Sequence, residues 1–246
     1  YNGLKFYKEG IKFMKKIVVF ILFFVLILTL VGCGSKELPF TNSPESSIKI
    51  DYMEDIIQNE DKYAEMYIKY TSARIFGTMS EEFEQFISEL KNESEEKAVK
   101  FIDNADKFIV LRSILNDDTK EEVKQDAKQI IDGYLRRSRL GDENTIFDLS
   151  PELEAQNPVG RVKEYMENNK IKVTEIDFPA GFENVNFDIY PFKFTYRYVL
   201  KGTVGNRPFE KEVVQDFYYG IDWSKGKEKE NMKMVIEYIH DVKEDN

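Results

Sequence analysis

A chain of 246 residues has room for one or two domains and a sizeable core, and 42% hydrophobic with 33% charged residues marks a folded protein, not a disordered one. The formal charge of −10 is unevenly spread: residues 1–33 hold five Lys and one Glu, which leaves 30 Lys and Arg against 44 Asp and Glu, a net of −14, over residues 34–246. That sign repels phosphate backbones and argues against a nucleic-acid partner, while a single cysteine and a single histidine exclude a disulfide framework, a thiolate or His-based zinc site and a paired-cysteine redox centre.

In chain order, residues 1–13, YNGLKFYKEGIKF, come before Met14 and the basic pair Lys15-Lys16. Signal sequences begin at or near such a pair. Met14 is therefore the expected start, and 1–13 a non-native upstream extension in which Lys8-Glu9-Gly10 matches a purine-rich ribosome-binding site read through as protein. Ile17 to Leu28 is wholly apolar, Thr29 interrupts, and Leu30-Val31-Gly32-Cys33 follows. A membrane-spanning helix needs about 20 apolar residues, so this shorter run fits a secretory hydrophobic region better.

Leu30-Val31-Gly32-Cys33 resembles the lipobox of bacterial lipoprotein signal peptides. The resemblance implies that Cys33 receives a diacylglyceryl group. A peptidase recognising Leu30, Val31 and Gly32 then removes 14–32 and leaves lipidated Cys33 as the N-terminus. Two acyl chains meet the two-signal requirement for stable anchoring. The expected location is the extracytoplasmic face of a cell membrane, with membrane lipid as the first partner. The bias toward Lys, Ile, Asn and Glu fits a low-GC, Gram-positive-like source.

Residues 34–47, GSKELPFTNSPESS, are polar, with two prolines and no periodicity. They read as a flexible tether, so 33–48 is the lipidated cysteine with its leash and 49–246 a single exported domain. Residues 49–140 read as helical. Ile56, Tyr63, Met66, Tyr67 and Tyr70 recur at three- and four-residue steps, which predicts one long first helix. Ser80 before Glu81 and Glu82, and Ser94 before Glu95 and Glu96, predict two further helix starts. Val99, Ile102, Ala105 and Ile109 mark the second of these, and FIVLRSIL, 108–115, reads as either helix or strand. Thr119 and Glu122 form a capping box ahead of a face made by Val123, Ala127, Ile130, Ile131, Tyr134 and Leu135. A short helix is expected near 159–168.

From Lys170 the period becomes two. KVTEIDF alternates, as does FKFTYRYVLKGTV, in which Phe192, Phe194, Tyr196, Tyr198 and Leu200 share a face. Gly205-Asn206 supplies a turn, Phe209 to Trp223 the next strand, and Met232 to Val242 the last. This pattern predicts a half-buried antiparallel sheet of three to four long strands covered by the preceding helices, an α+β domain. The element order over 50–242 is similar to that of nuclear transport factor two-like folds, a superfamily that includes assembly proteins of conjugation and type IV secretion systems.

Few residues carry chemistry. His240 precedes Asp241, but neighbours on a strand point to opposite faces, so the pair reads as a sheet edge and not as a general base. NDDTKEEVKQD, 116–126, lacks the glycine of a calcium loop and is better explained by helix capping. Arg136, Arg137 and Arg139 close the clearest helix, where cations complement the helix dipole and form the one candidate docking patch for an acidic partner or wall polymer. Tyr196, Tyr198, Phe217, Tyr219 and Trp223 are core or the lining of an apolar pocket. No cofactor and no metal is expected. The reading is a non-enzymatic ligand-binding or partner-scaffolding lipoprotein, with an envelope protein as a further partner in an envelope or conjugation assembly. The rival is a cell-envelope hydrolase using two acidic residues.

Overall fold

Five capped or acid-fronted helices come first in the computed structural model, which describes residues 38–226 and 233–242. They are α1 (Asp51–Gln58), α2 (Glu60–Phe76), α3 (Glu81–Glu93), α4 (Glu95–Ile114) and α5 (Asp117–Leu135). The predicted first long helix is broken at Asn59, whose backbone leaves the helical region. Ser80 caps α3 by accepting from the Phe83 amide, whereas Ser94 precedes α4 without a side-chain cap. FIVLRSIL is helical except for its last residue, since α4 ends at Ile114. Its buried stripe is Ala98, Phe101, Ala105, Phe108 and Leu111, one step round from the predicted face, and Val99 is exposed. The capping box of α5 is built by Asn116 and Thr119, so the helix starts earlier than a Thr119 cap would allow.

A π-helical turn, Arg136–Leu140, extends α5, and two short helices follow, α6 (Pro151–Ala155) and α7 (Pro158–Asn168). The chain then makes β1 (Ile171–Asp177), β2 (Asn184–Asn186), β3 (Phe192–Val204), β4 (Arg207–Asp222) and β5 (Lys233–Asp241). They form an antiparallel sheet in the order β1-β3-β4-β5, with β2 paired to β3. This is the predicted α+β architecture. Gly205, at φ +60°, opens the two-residue turn between Val204 and Arg207, the mirror-image turn class that matches strand twist.

The sheet is covered on both faces over β4 and β5, which explains why alternation fails there. On one side α5 lies against it: Tyr134 meets Phe217 edge-on at 6.4 Å, and Tyr219 donates to Asp126 at 2.5 Å. On the other side Tyr218 and Lys193 both donate to Glu60 of α2, at 3.0 and 2.6 Å. Beneath them α2, α3 and α4 share an aromatic cluster in which Tyr67 stacks on Phe101 at 5.2 Å and Phe86 meets Phe101 edge-on at 4.9 Å. Residues 148–150 run along β5, exchanging backbone hydrogen bonds with Ile236 and shielding part of that edge.

The compact body begins at Pro39, which corrects the expected tether. Phe40, Ser43, Glu45 and Ile48 are buried in the core, and Pro44–Ser47 forms a 3-10 turn. The proposed extension 1–13, the signal peptide 14–32 with Leu30, Val31 and Gly32, and Cys33 lie outside the described residues, as does Met232. No helix among the described residues is long and apolar enough to cross a membrane.

Candidate functional site

The aromatic residues expected to be core or pocket are core. Tyr196, Tyr198, Phe217 and Tyr219 are fully buried, and only Trp223 is half-exposed. Helix α5 packs over Phe217 through Tyr134 and takes the hydroxyls of Tyr196 and Tyr219 on Asp132 and Asp126. Burial and the Asp132 carboxylate push the Tyr196 phenol well above its ordinary value, and burial with Asp126 does the same to Tyr219. His240 is half-buried opposite Asp216 in the strand ladder, while Asp241 turns away to Ser43 and Gln215.

The three arginines expected to form one patch have separate fates. Arg136 is exposed, with its guanidinium 4.7 Å above the Phe178 ring. Arg137 is half-buried. Arg139 is wholly buried and paired to Glu45 at 2.8 Å, so it is removed from any docking surface. Burial alone would lower the Arg139 guanidinium; the Glu45 carboxylate, together with the Tyr198 and Tyr134 hydroxyls, more than offsets it and holds the group charged. In the π turn Arg136 and Arg139, three residues apart, do not return to one face as they would in an α-helix.

Around the Glu45–Arg139 pair is a clamp on the segment that enters the fold. Tyr134 donates to Glu45 at 2.7 Å, and Arg139 sits 5.1 Å over the Phe40 ring. The Ser43 amide and hydroxyl both donate to Asp241, at 2.6 and 2.7 Å. Gln215 donates to Ser43 and Asp241, and accepts from Tyr198 at 2.7 Å. Tyr238 donates to the Ile48 carbonyl at 2.8 Å.

Arg136 borders a surface groove of about 510 Å³ along α5. One helix face supplies Gln125, Lys128, Gln129, Asp132, Gly133 and Arg136, and the loop Asn144–Ile146 supplies the opposite wall. The spacing of three, four and seven residues puts the α5 side chains on one stripe. Gly133 lets the wall approach: a Cβ there would lie 2.2 Å from the Ile146 carbonyl oxygen. Asp132 is fully engaged, accepting from Tyr196 on one oxygen and from Lys128 on the other at 2.7 Å. The side-chain amides of Gln125, Gln129 and Asn144 make no hydrogen bond within the described residues, and Arg136 has no carboxylate partner there.

A second polar centre is sealed. Glu237 occupies a β-bulge opposite Tyr218 and Tyr219, which turns its side chain toward the helices with that of Tyr238. Tyr190 donates to it at 2.6 Å and Tyr52 at 3.2 Å, and Gly220 leaves it space. Burial raises the Glu237 carboxyl above the usual range, against the opposing pull of Lys107. Lys107 is itself buried, pairs with Asp103 at 3.0 Å and lies 5.5 Å from the Trp223 ring. No sequence signal marked this centre, because a glutamate in an apolar strand reads as its solvent face.

Among the described residues no three His, Cys, Asp or Glu side chains converge as a metal site. No protein-family model matches the chain, and no curated protein or solved structure is detectably similar to it.

Proposed function

We propose that this chain is an extracytoplasmic lipoprotein whose folded body is a binding module, with the α5 groove as its ligand face. The observation that carries the binding half is the groove itself: a shallow, open stripe with three exposed amides that no described residue engages and one guanidinium without a carboxylate partner among them. Its single carboxylate, Asp132, already has both oxygens engaged. An acid hydrolase would need a second carboxylate facing it and a free proton site, so the groove favours binding over hydrolysis.

The anchoring half is supported by the order of basic pair, apolar run and Leu30-Val31-Gly32-Cys33. Because the body starts at Pro39, at most about 20 Å of extended chain separates it from Cys33, which makes the leash much shorter than composition implies. The reading is tested on intact cells with a membrane-impermeant amine reagent. Labelling of body lysines without cell lysis is the expected result. Labelling only after lysis contradicts it.

A further inference from the structure

We propose that the α5 groove binds an anionic saccharide, a sugar carrying a carboxylate or phosphate. This rests on the reading of the groove as a ligand face and names its ligand class. Gln125 to Arg136 spans about 16 Å of helix, so the ligand contacts the groove along its length and not at a single point. Each unengaged amide of Gln125, Gln129 and Asn144 offers two donors and an acceptor side by side, the complement of paired sugar hydroxyls.

The charge at the end of the stripe selects the anion. Arg136 holds its guanidinium carbon 4.7 Å from the Phe178 ring centroid and is exposed, without a carboxylate partner among the described residues, so its N–H groups are available for a two-point contact with a carboxylate or phosphate. Lys128, 5.6 Å from the Tyr196 ring, spends one proton on Asp132 and keeps two. Asp132 is engaged by Tyr196 and Lys128, so the one acid in the groove is compensated.

A peptide fits less well. Peptide grooves offer apolar pockets or a free strand edge, whereas the apolar surface here is the exposed Ile146 at the rim and Phe178 under the cations. A nucleic acid, with a charge on every nucleotide, is opposed by the net charge of the surrounding body far more than a saccharide carrying one or two anionic groups.

Calorimetric titration of the full-length protein in detergent micelles tests this with four probes: hyaluronan tetrasaccharide, glucose 6-phosphate, neutral chitotetraose and inorganic phosphate. One or both anionic sugars should bind, and which one does identifies the preferred anion. Arg136→Gln should weaken that binding about tenfold or more, as expected for a lost charge-assisted contact. Gln129→Ala should weaken it a few-fold, and Arg207→Gln, at an exposed position outside the groove, should leave it unchanged. The proposal is overturned if neither anionic sugar binds, if chitotetraose or inorganic phosphate binds equally well, or if Arg136→Gln leaves affinity intact. Anionic-sugar binding by a protein that proves unacylated would sink the anchoring claim and leave this one standing. An acylated, surface-exposed protein that ignores all four probes would do the reverse.

Discussion

Glu45 and Arg139 are 94 residues apart in sequence, and their fully buried side chains meet at 2.8 Å. The contact ties the first turn of the folded body to the end of α5. Glu45 Oε2 and Arg139 Nε have no hydrogen-bond partner among the described residues, so each charge is balanced chiefly by the other. Arg139→Met should therefore cost about 3–5 kcal/mol by leaving a buried carboxylate unpaired. The double variant Glu45→Gln with Arg139→Met should recover part of that loss, because Gln can still accept from Tyr134. Urea denaturation of the single and double variants measures the coupling; strictly additive losses would contradict it.

Removing the entering segment should be as damaging. A body beginning at Pro39 is expected to fold cooperatively, whereas one beginning at Lys49 loses Phe40, Ser43, Glu45 and Ile48 from the core. Phe40 and Ile48 alone correspond to roughly 2–5 kcal/mol each when truncated. Thermal unfolding followed by near-ultraviolet circular dichroism distinguishes the two chains. Equal melting temperatures would show that residues 39–48 are dispensable.

Glu237 predicts a pH dependence. Its carboxyl is raised in the folded state by burial, so between the unfolded value, about 4.3, and its higher folded value the native state holds more protons than the unfolded one. Stability from this group is full below that window and falls as pH rises through it. Glu237→Gln keeps an acceptor for Tyr190 and removes the charge. Its melting temperature should exceed that of the wild type at neutral pH, with the gap closing as pH falls toward 4. Asp216 is also raised by burial, so a residual slope of the same sign persists in both proteins. A gap that does not change with pH would contradict the assignment.

Gly133→Ala sets two effects against each other. Alanine favours a helix interior by roughly 1 kcal/mol over glycine, but its Cβ would lie 2.2 Å from the Ile146 carbonyl oxygen. That neighbour is backbone, which cannot swing aside, and overpacking of this kind costs about 1–3 kcal/mol. The variant should be less stable than the wild type and should lose saccharide binding as the Asn144–Ile146 wall moves away. Unchanged stability together with unchanged binding would show that the wall is not fixed by this contact.

The parts of the fold legible in the sequence are those set by local rules. Ser80 accepts from the Phe83 amide as its spacing with Glu81 and Glu82 implied, and Gly205-Asn206 turns β3 into β4. Alternation from Phe192 to Leu200 is reproduced residue by residue. What was hidden depends on distant partners. Burial of Arg139 depends on Glu45, 94 residues upstream, and Phe40 looked like linker because one aromatic among polar residues has no period. FIVLRSIL was ambiguous because a short apolar run suits a buried helix or a strand equally. Glu237 carried no signal because the bulge that shifts the register of β5 and turns it inward leaves no mark in the alternation. In the groove, the arginine cluster pointed to Arg136, but Gln125, Gln129 and Asn144 carried no signal. Exposed amides are ordinary on a helix until a loop is seen to run beside them.

The proposed location rests on the covalent state of one sulfur atom, that of Cys33. Mass spectrometry of the mature N-terminal peptide from purified membranes should find Cys33 as the first residue, carrying a diacylglyceryl group through its thioether. An unmodified Cys33 still joined to Gly32 in the membrane-bound protein would contradict lipid anchoring outright.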